Sequence, residues 1–257
     1  MTEIASSTVH VRTEGRTAWI TLDRPPLNVM NIALLEAMDK AVQELLSHAD
    51  LLIFEGAGER AFSVGVEVKD HVPGKVAEML DIFHGVFRRL ARADCITIAA
   101  VHGHCLGGGM ELATFCDFVV ATESASFGQP EIKLGCFPPV ALVTLPALAG
   151  PRAAMDLILT GRTITGREAR DLGLVSRLVP DGSLAAGVAQ LVSELRGLSP
   201  AVLQMTRRAL RKYSGVDFEK DLADAEDLYL NNLMKTEDAQ EGIRAFLEKR
   251  PPAWRGR

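Results

Sequence analysis

No apolar run in this chain is long enough to cross a bilayer, which removes a membrane span from consideration. Its first seven residues, Met1-Thr2-Glu3-Ile4-Ala5-Ser6-Ser7, hold neither the basic nor the apolar stretch of a secretory leader. The expectation is a cytoplasmic protein with no membrane partner. Positive charge is not in excess: 28 Lys and Arg stand against 33 Asp and Glu, a net charge of −5. That balance argues against nucleic acid as a partner. Cysteine is scarce and never spaced C-x-x-C. Cys95, Cys105, Cys116 and Cys136 lie in apolar runs and read as buried free thiols in a reducing compartment, not as disulfides or zinc ligands. The dinucleotide fingerprint G-x-G-x-x-G and the hydrolase elbow G-x-S-x-G are both missing. His102 and His104 have a spacing that suits a metal, yet no third ligand accompanies them. They read as strand-end packing, and no metal is expected.

What is present suffices for a full core: 257 residues, 47% hydrophobic and 24% charged, without a low-complexity linker. Short alternating segments at 9–12 and 17–22, separated by Glu14-Gly15, predict a hairpin. Apolar residues at helical spacing predict helices over 32–46 and 76–90, with a short buried strand at 51–54 between them. The continuous apolar run 96–101 reads as a central strand covered on both faces, and 118–121 as another strand. Beyond about residue 140 helical patterns dominate, at 155–159, 166–172, 184–195, 201–212, 218–231 and 239–247, with one late strand candidate at 175–179. The reading is an α/β fold with mostly parallel pairing over residues 1–195, followed by a helical region over 196–257. Trp254, after the Pro251-Pro252 stop, is expected to pack on a neighbouring surface.

The chemistry concentrates in Cys105-Leu106-Gly107-Gly108-Gly109-Met110-Glu111. Glycines at a helix start leave free N–H groups open to a ligand oxygen, and a carboxylate one turn on can move protons beside it. A second loop, Phe62-Ser63-Val64-Gly65-Val66-Glu67-Val68-Lys69, can bring a facing N–H from Val66, although alone it also fits an ordinary strand-to-helix connection. In Phe127-Gly128-Gln129-Pro130-Glu131, a second glutamate follows Glu111 across the 118–121 strand, which returns the chain toward the glycine turn. Either glutamate alone fits a solvated helix-start carboxylate. Together with the glycines they suggest an acid and a base over one oxyanion site. Arg207, Arg208, Arg211 and Lys212 form a basic cluster that reads as ion pairs or a solvated face.

The run from Ala99 through Ala113, with Phe127–Glu131 and Phe62–Lys69, resembles the enoyl-CoA hydratase/isomerase (crotonase) family. Asp23-Arg24-Pro25 with Asn28, and Thr236-Glu237-Asp238-Ala239-Gln240-Glu241-Gly242 with Phe246–Arg250, extend the likeness in order along nearly the whole chain. The resemblance implies the crotonase spiral of β-β-α turns, resembling ClpP, with the C-terminal helices mediating a homotrimer or homohexamer. It implies an acyl-CoA substrate, no cofactor beyond the coenzyme A it carries, and an enolate held by Val66 and Gly108. By motif position Glu111 and Glu131 would be catalytic, Glu111 mainly activating water and Glu131 mainly protonating Cα. The CoA adenine and pantetheine would lie along Val64–Val68, with Gly107 also binding substrate and with Lys69 and Arg24 as phosphate partners or plain surface charges.

Where straight-chain hydratases carry glycines after Glu131, this chain has Gly135-Cys136-Phe137-Pro138-Pro139-Val140-Ala141-Leu142. The prolines are expected to stiffen a loop in which Phe137 and Pro138 shape the acyl pocket. With Glu67 and the segment Phe83-His84-Gly85-Val86-Phe87-Arg88, this looks like the cyclic-dienoyl-CoA hydratases of aromatic degradation. The implied substrate is cyclohexa-1,5-diene-1-carbonyl-CoA. The alternatives are a straight-chain enoyl-CoA hydratase of fatty acid breakdown, an enoyl-CoA isomerase, or a catalytically silent acyl-CoA-binding scaffold.

Overall fold

The computed structural model describes residues 8–257. The chain opens with the expected hairpin, β1 (Val9–Glu14) antiparallel to β2 (Thr17–Leu22). It continues through α1 (Ile32–Leu45), β3 (Leu51–Gly56), β4 (Ala61–Ser63) and α2 (Val76–Arg92). Then come β5 (Ile96–Val101), β6 (His104–Leu106), α3 (Gly108–Phe115), β7 (Phe118–Thr122) and β8 (Ser126–Gly128). The remainder is α4 (Pro139–Ala149), α5 (Pro151–Thr160), β9 (Thr163–Thr165), α6 (Gly166–Asp171), β10 (Arg177–Val179), α7 (Leu184–Arg196), α8 (Pro200–Lys212), α9 (Phe218–Asn231) and α10 (Glu237–Leu247).

Two sheets result. The larger has the order β1-β2-β3-β5-β7-β10 and is parallel from β2 onward. The smaller, β4-β6-β8-β9, is built of three-residue strands, parallel except for β9. Three times the chain runs from a large-sheet strand to a small-sheet strand and then a helix: β3-β4-α2, β5-β6-α3 and β7-β8-α4. This is the spiral of β-β-α turns. Strands as short as β4, β6 and β8 carry too few residues for an alternation, so the sequence reads as loop there.

Side-chain alternation divides the core. Leu52, Phe54, Ala99 and Val101 face a cluster shared with α1, α2 and α3, while Leu51, Ile53, Ile98 and Ala100 face Val188, Leu191 and Val192 of α7. Because both faces are covered, β5 is buried at all six positions. The helices after residue 196 do not form a separate core: Leu222 and Tyr229 of α9 and Ile243 of α10 belong to the main cluster.

Two expectations are corrected. Pro138 and Pro139 do not stiffen a loop but begin α4, because a proline in the first helical turn has no N–H that the helix needs. Trp254 packs only in part, remaining 48% exposed, while Arg250 and Pro252 nearby face a cavity.

The three arginines of the basic cluster are paired within the chain. Arg207, 5% exposed, donates to Asp117 at 2.6 Å; Arg211 reaches the same carboxylate at 3.1 Å, and Arg208 reaches Asp94 at 2.7 Å. All four cysteines are free and buried. Among the described residues no helix is long and apolar enough to cross a membrane.

Candidate active site

The site is organised around Asn28, which is buried with φ +52°. Asparagine tolerates this left-handed conformation because its short amide can bond locally. Its Nδ2 donates to the carbonyls of Ala57 at 3.0 Å and Ala61 at 2.9 Å, and its Oδ1 accepts the Arg24 N–H at 3.0 Å. Its carbonyl accepts the Ser63 hydroxyl at 2.7 Å. Two residues on, Met30 N–H donates to Gly65 O and Glu67 N–H to Met30 O, both at 2.9 Å. Peptide groups alternate sides along an extended segment, so the Val66 N–H is directed away from Met30.

Against this loop packs the glycine turn. Gly65, at φ +95°, is so close that a Cβ there would lie 2.9 Å from Gly108 N. The Gly108 N–H opens α3 and is one of the donors a helix leaves free at its start. Gly107 N–H donates to Gly128 O at 2.9 Å, continuing the β6–β8 ladder and bringing the turn alongside Gln129-Pro130-Glu131. Gly107 has φ +54°, and a Cβ on it would meet Glu131 Oε1.

Glu111, 3% exposed in the first turn of α3, accepts the Ala141 N–H at 2.9 Å. The N-terminus of α4 thus points its free donors at this carboxylate. Burial nevertheless raises the Glu111 pKa to about 7, with the N–H groups of Ala141 and Val140 pulling the other way. Burial raises Glu131 well above the carboxylate range, and the neighbouring charge of Glu111 raises it further. The amide end of the fully buried Gln129 lies 3.3 and 3.2 Å from the two Glu131 carboxylate oxygens, and with its nitrogen assigned to that side it donates to Glu131.

One cavity of about 470 Å³ collects these groups. Val66, Gly107, Gly108, Glu111 and Glu131 line it together. Val64, Val68, Phe137 and Pro138 line it as well. Arg24 and Lys69 are not on its wall. Arg24 is engaged by Glu67 at 3.2 Å and by the Val29 carbonyl at 3.0 Å, whereas Lys69 is exposed on the turn after Val68.

Sequence reasoning missed Tyr229, Phe246, Arg250 and Pro252, which close the cavity from the far end of the chain. No local pattern marks them. The α2 residues Phe83 and His84 were visible as part of an unusual segment, but not their place on the wall.

The comparisons with known proteins agree with this architecture. The family model for enoyl-CoA hydratase/isomerase matches residues 12–257. Over 251 residues the chain is 36% identical to cyclohexa-1,5-dienecarbonyl-CoA hydratase of Thauera aromatica, covering 97% of this chain and 96% of that one. Over 253 residues it is also 36% identical to a probable enoyl-CoA hydratase of Mycobacterium bovis, covering 95% and 96% of the two chains. Among solved structures, carnitinyl-CoA hydratase from Mycobacterium avium superposes with a TM-score of 0.84 at 32% identity, over 98% of this chain and 100% of that one. The chain belongs to the enoyl-CoA hydratase/isomerase family, and it has the crotonase fold.

Proposed function

We propose that this enzyme adds water across the α,β double bond of an acyl-CoA thioester. The observation that carries the reading is one cavity lined by the buried Glu111 and the partly buried Glu131 beside the Val66 and Gly108 peptide groups. In this reading the thioester oxygen lies between those two N–H groups, which bind it most strongly as it becomes an enolate. Glu111, the more readily ionised, takes a proton from water as its oxygen adds to Cβ. Glu131, held protonated by burial and by Glu111, delivers its proton to Cα. Turnover leaves Glu111 protonated and Glu131 ionised, so one proton then returns between them or through solvent. No step needs a metal or a redox cofactor, and the coenzyme A is part of the substrate.

Val64 and Val68 would flank the pantetheine, with Lys69 freer than Arg24 to meet a phosphate. For the acyl group the preferred reading is a cyclic dienoyl thioester, cyclohexa-1,5-diene-1-carbonyl-CoA. It is supported by the Thauera relative and by the aromatic wall of Phe83, Phe137 and Tyr229, the last two packed edge-on at 5.1 Å. A straight-chain enoyl-CoA hydratase is the second reading, supported by the likeness to the probable enoyl-CoA hydratase of Mycobacterium bovis. The exposed Val202, Met205 and Leu210 of α8, with Tyr213 just after it, support self-association as a trimer or hexamer.

The test is turnover of crotonyl-CoA and of the cyclic dienoyl-CoA by the wild type, Glu111→Gln and Glu131→Gln. Hydration by the wild type with loss of about a hundredfold or more in either variant is expected. Unchanged hydration in both variants overturns the mechanism. A shifted double bond without hydration makes the enzyme an isomerase, and thioester binding without any turnover makes it a silent scaffold.

A further inference from the structure

The proposed hydration uses two glutamates and two peptide N–H groups, but the cavity holds another polar side chain. His84 of α2 lines it and is itself fully buried. Its Nδ1 lies 2.7 Å from Glu226 Oε1, and the other oxygen of Glu226 accepts from Arg88 at 2.6 Å. Its Nε2 has no hydrogen-bond partner. A buried polar atom left unpaired costs free energy, so the arrangement calls for a partner that the protein does not supply.

The chemistry of that partner follows from the proton on the ring. Partial burial of Glu226 works against its charge, yet the hydrogen bonds from His84 and Arg88 outweigh it and hold the carboxyl below its usual range. An ionised carboxylate only accepts, so Nδ1 carries the imidazole proton. Burial pushes the His84 pKa down against the pull of Glu226, while Arg88 lowers it and Asp81 raises it. The ring is therefore neutral at neutral pH, and Nε2 presents a lone pair. The adjacent α2 residues on the cavity wall, Met79, Leu80 and Phe83, have no hydrogen to give it.

We infer that His84 Nε2 is a specificity-determining subsite that accepts a hydrogen bond from a hydroxyl group on the acyl part of the thioester. The inference rests on the acyl-CoA reading of the cavity and deepens it. Acyl groups that carry a hydroxyl at that place bind more tightly than their unhydroxylated parents, the cyclic dienoyl group of the preferred reading among those parents. Glu226 and Arg88 act as positioning residues, fixing the tautomer that makes His84 an acceptor. An acyl group offering a carbonyl at the same place would meet the lone pair of Nε2 and be disfavoured.

The experiment measures equilibrium binding of matched saturated CoA thioesters: butyryl against 4-hydroxybutyryl, hexanoyl against 6-hydroxyhexanoyl, and cyclohexanecarbonyl against its ring-hydroxylated forms. At least one hydroxylated member should bind the wild type about tenfold more tightly than its parent, and His84→Phe should erase that ratio. If every hydroxylated member binds no better than its parent, or if the preference survives in His84→Phe, the inference is overturned. Should His84→Phe fail to fold, the wild-type series decides alone. Absence of binding by every thioester, parents included, would instead overturn the acyl-CoA reading itself.

Discussion

Glu131 Oε1 stands over Gly107 so closely that a Cβ placed on that glycine would be 2.6 Å from it. The carboxylate therefore occupies the space that any other residue's side chain would need. Gly107→Ala should displace Glu131 from the cavity and lower kcat by about a hundredfold or more, the scale of losing a positioned acid–base group. Because φ is +54° at this position, backbone strain of about 1–2 kcal/mol should accompany the loss. Steady-state kinetics with circular dichroism separates the two effects. A folded variant with full activity would show that Glu131 has no part in the reaction.

The two glutamates titrate as a pair. Glu111 is raised to about 7 and Glu131 well above its ordinary value, the latter by burial and by the charge of Glu111, so the two protons leave in separate steps. The pH profile of kcat/KM should rise on a limb near 7 as Glu111 ionises, then fall as the second proton leaves. In Glu111→Gln the charge that opposes Glu131 is removed, so the Glu131 pKa should fall while burial still holds it above the ordinary value. Infrared titration of the remaining carboxyl reads that shift directly, and an unmoved titration would separate the two groups electrostatically.

The same raised pKa has a consequence for folding. Between the ordinary value of 4.5 and the native value of about 7, the folded chain holds a Glu111 proton that the unfolded chain has released. This contribution is fully present below the unfolded value and is lost as pH rises through 7, amounting to about 3 kcal/mol. Glu111→Gln lacks it and can still accept from Ala141 through its amide oxygen. Urea denaturation should find the variant more stable than the wild type at pH 8 and close to it at pH 4. Parallel stability curves would contradict the burial argument.

Asn28→Ala removes the donor shared by the Ala57 and Ala61 carbonyls and the acceptor for Arg24 N–H. It also puts alanine at a positive φ. The expected loss is about 2–4 kcal/mol, since buried carbonyls are left unpaired. The residual folded enzyme should also show a weakened kcat, because the segment that orients Val66 hangs from the same residue.

Arg207→Ala leaves Asp117, which also accepts the N–H and the hydroxyl of Thr97, with Arg211 as its remaining cation. Because Arg211 keeps part of the pairing, the loss should lie at or below the lower end of the about 3–5 kcal/mol that breaking a buried pair from one side costs. The double variant Arg207→Met with Asp117→Asn should recover much of that, measured by thermal denaturation. Failure to recover would place the effect in packing and not in charge.

Much of this architecture is legible before folding is considered. The hairpin, α1, α2 and the covered strand β5 follow from period-2, period-3.6 and continuous apolar patterns. Glu111 and Glu131 are legible as a pair because a single strand, β7, lies between them and the glycines mark where the chain returns. The helix α4 is hidden because its prolines resemble a loop until Pro139 is seen at the first helical position. Tyr229, Arg250 and the free nitrogen of His84 leave no local trace. The place of His84 and Tyr229 is set by α9 meeting α2, a contact between segments more than a hundred residues apart, while Arg250 is held by Glu241 and Glu248 at the edge of the cavity.

The cavity wall runs from Val64 to Pro252. During synthesis, a chain still lacking its last helices already contains the glycine turn and both glutamates, but not the residues that enclose them. The reacting groups would then stand open to bulk water, where charges are screened and a thioester is poorly held. A chain clipped before α10 should therefore bind an acyl-CoA thioester more weakly than the full-length protein, with Glu111 and Glu131 still in place.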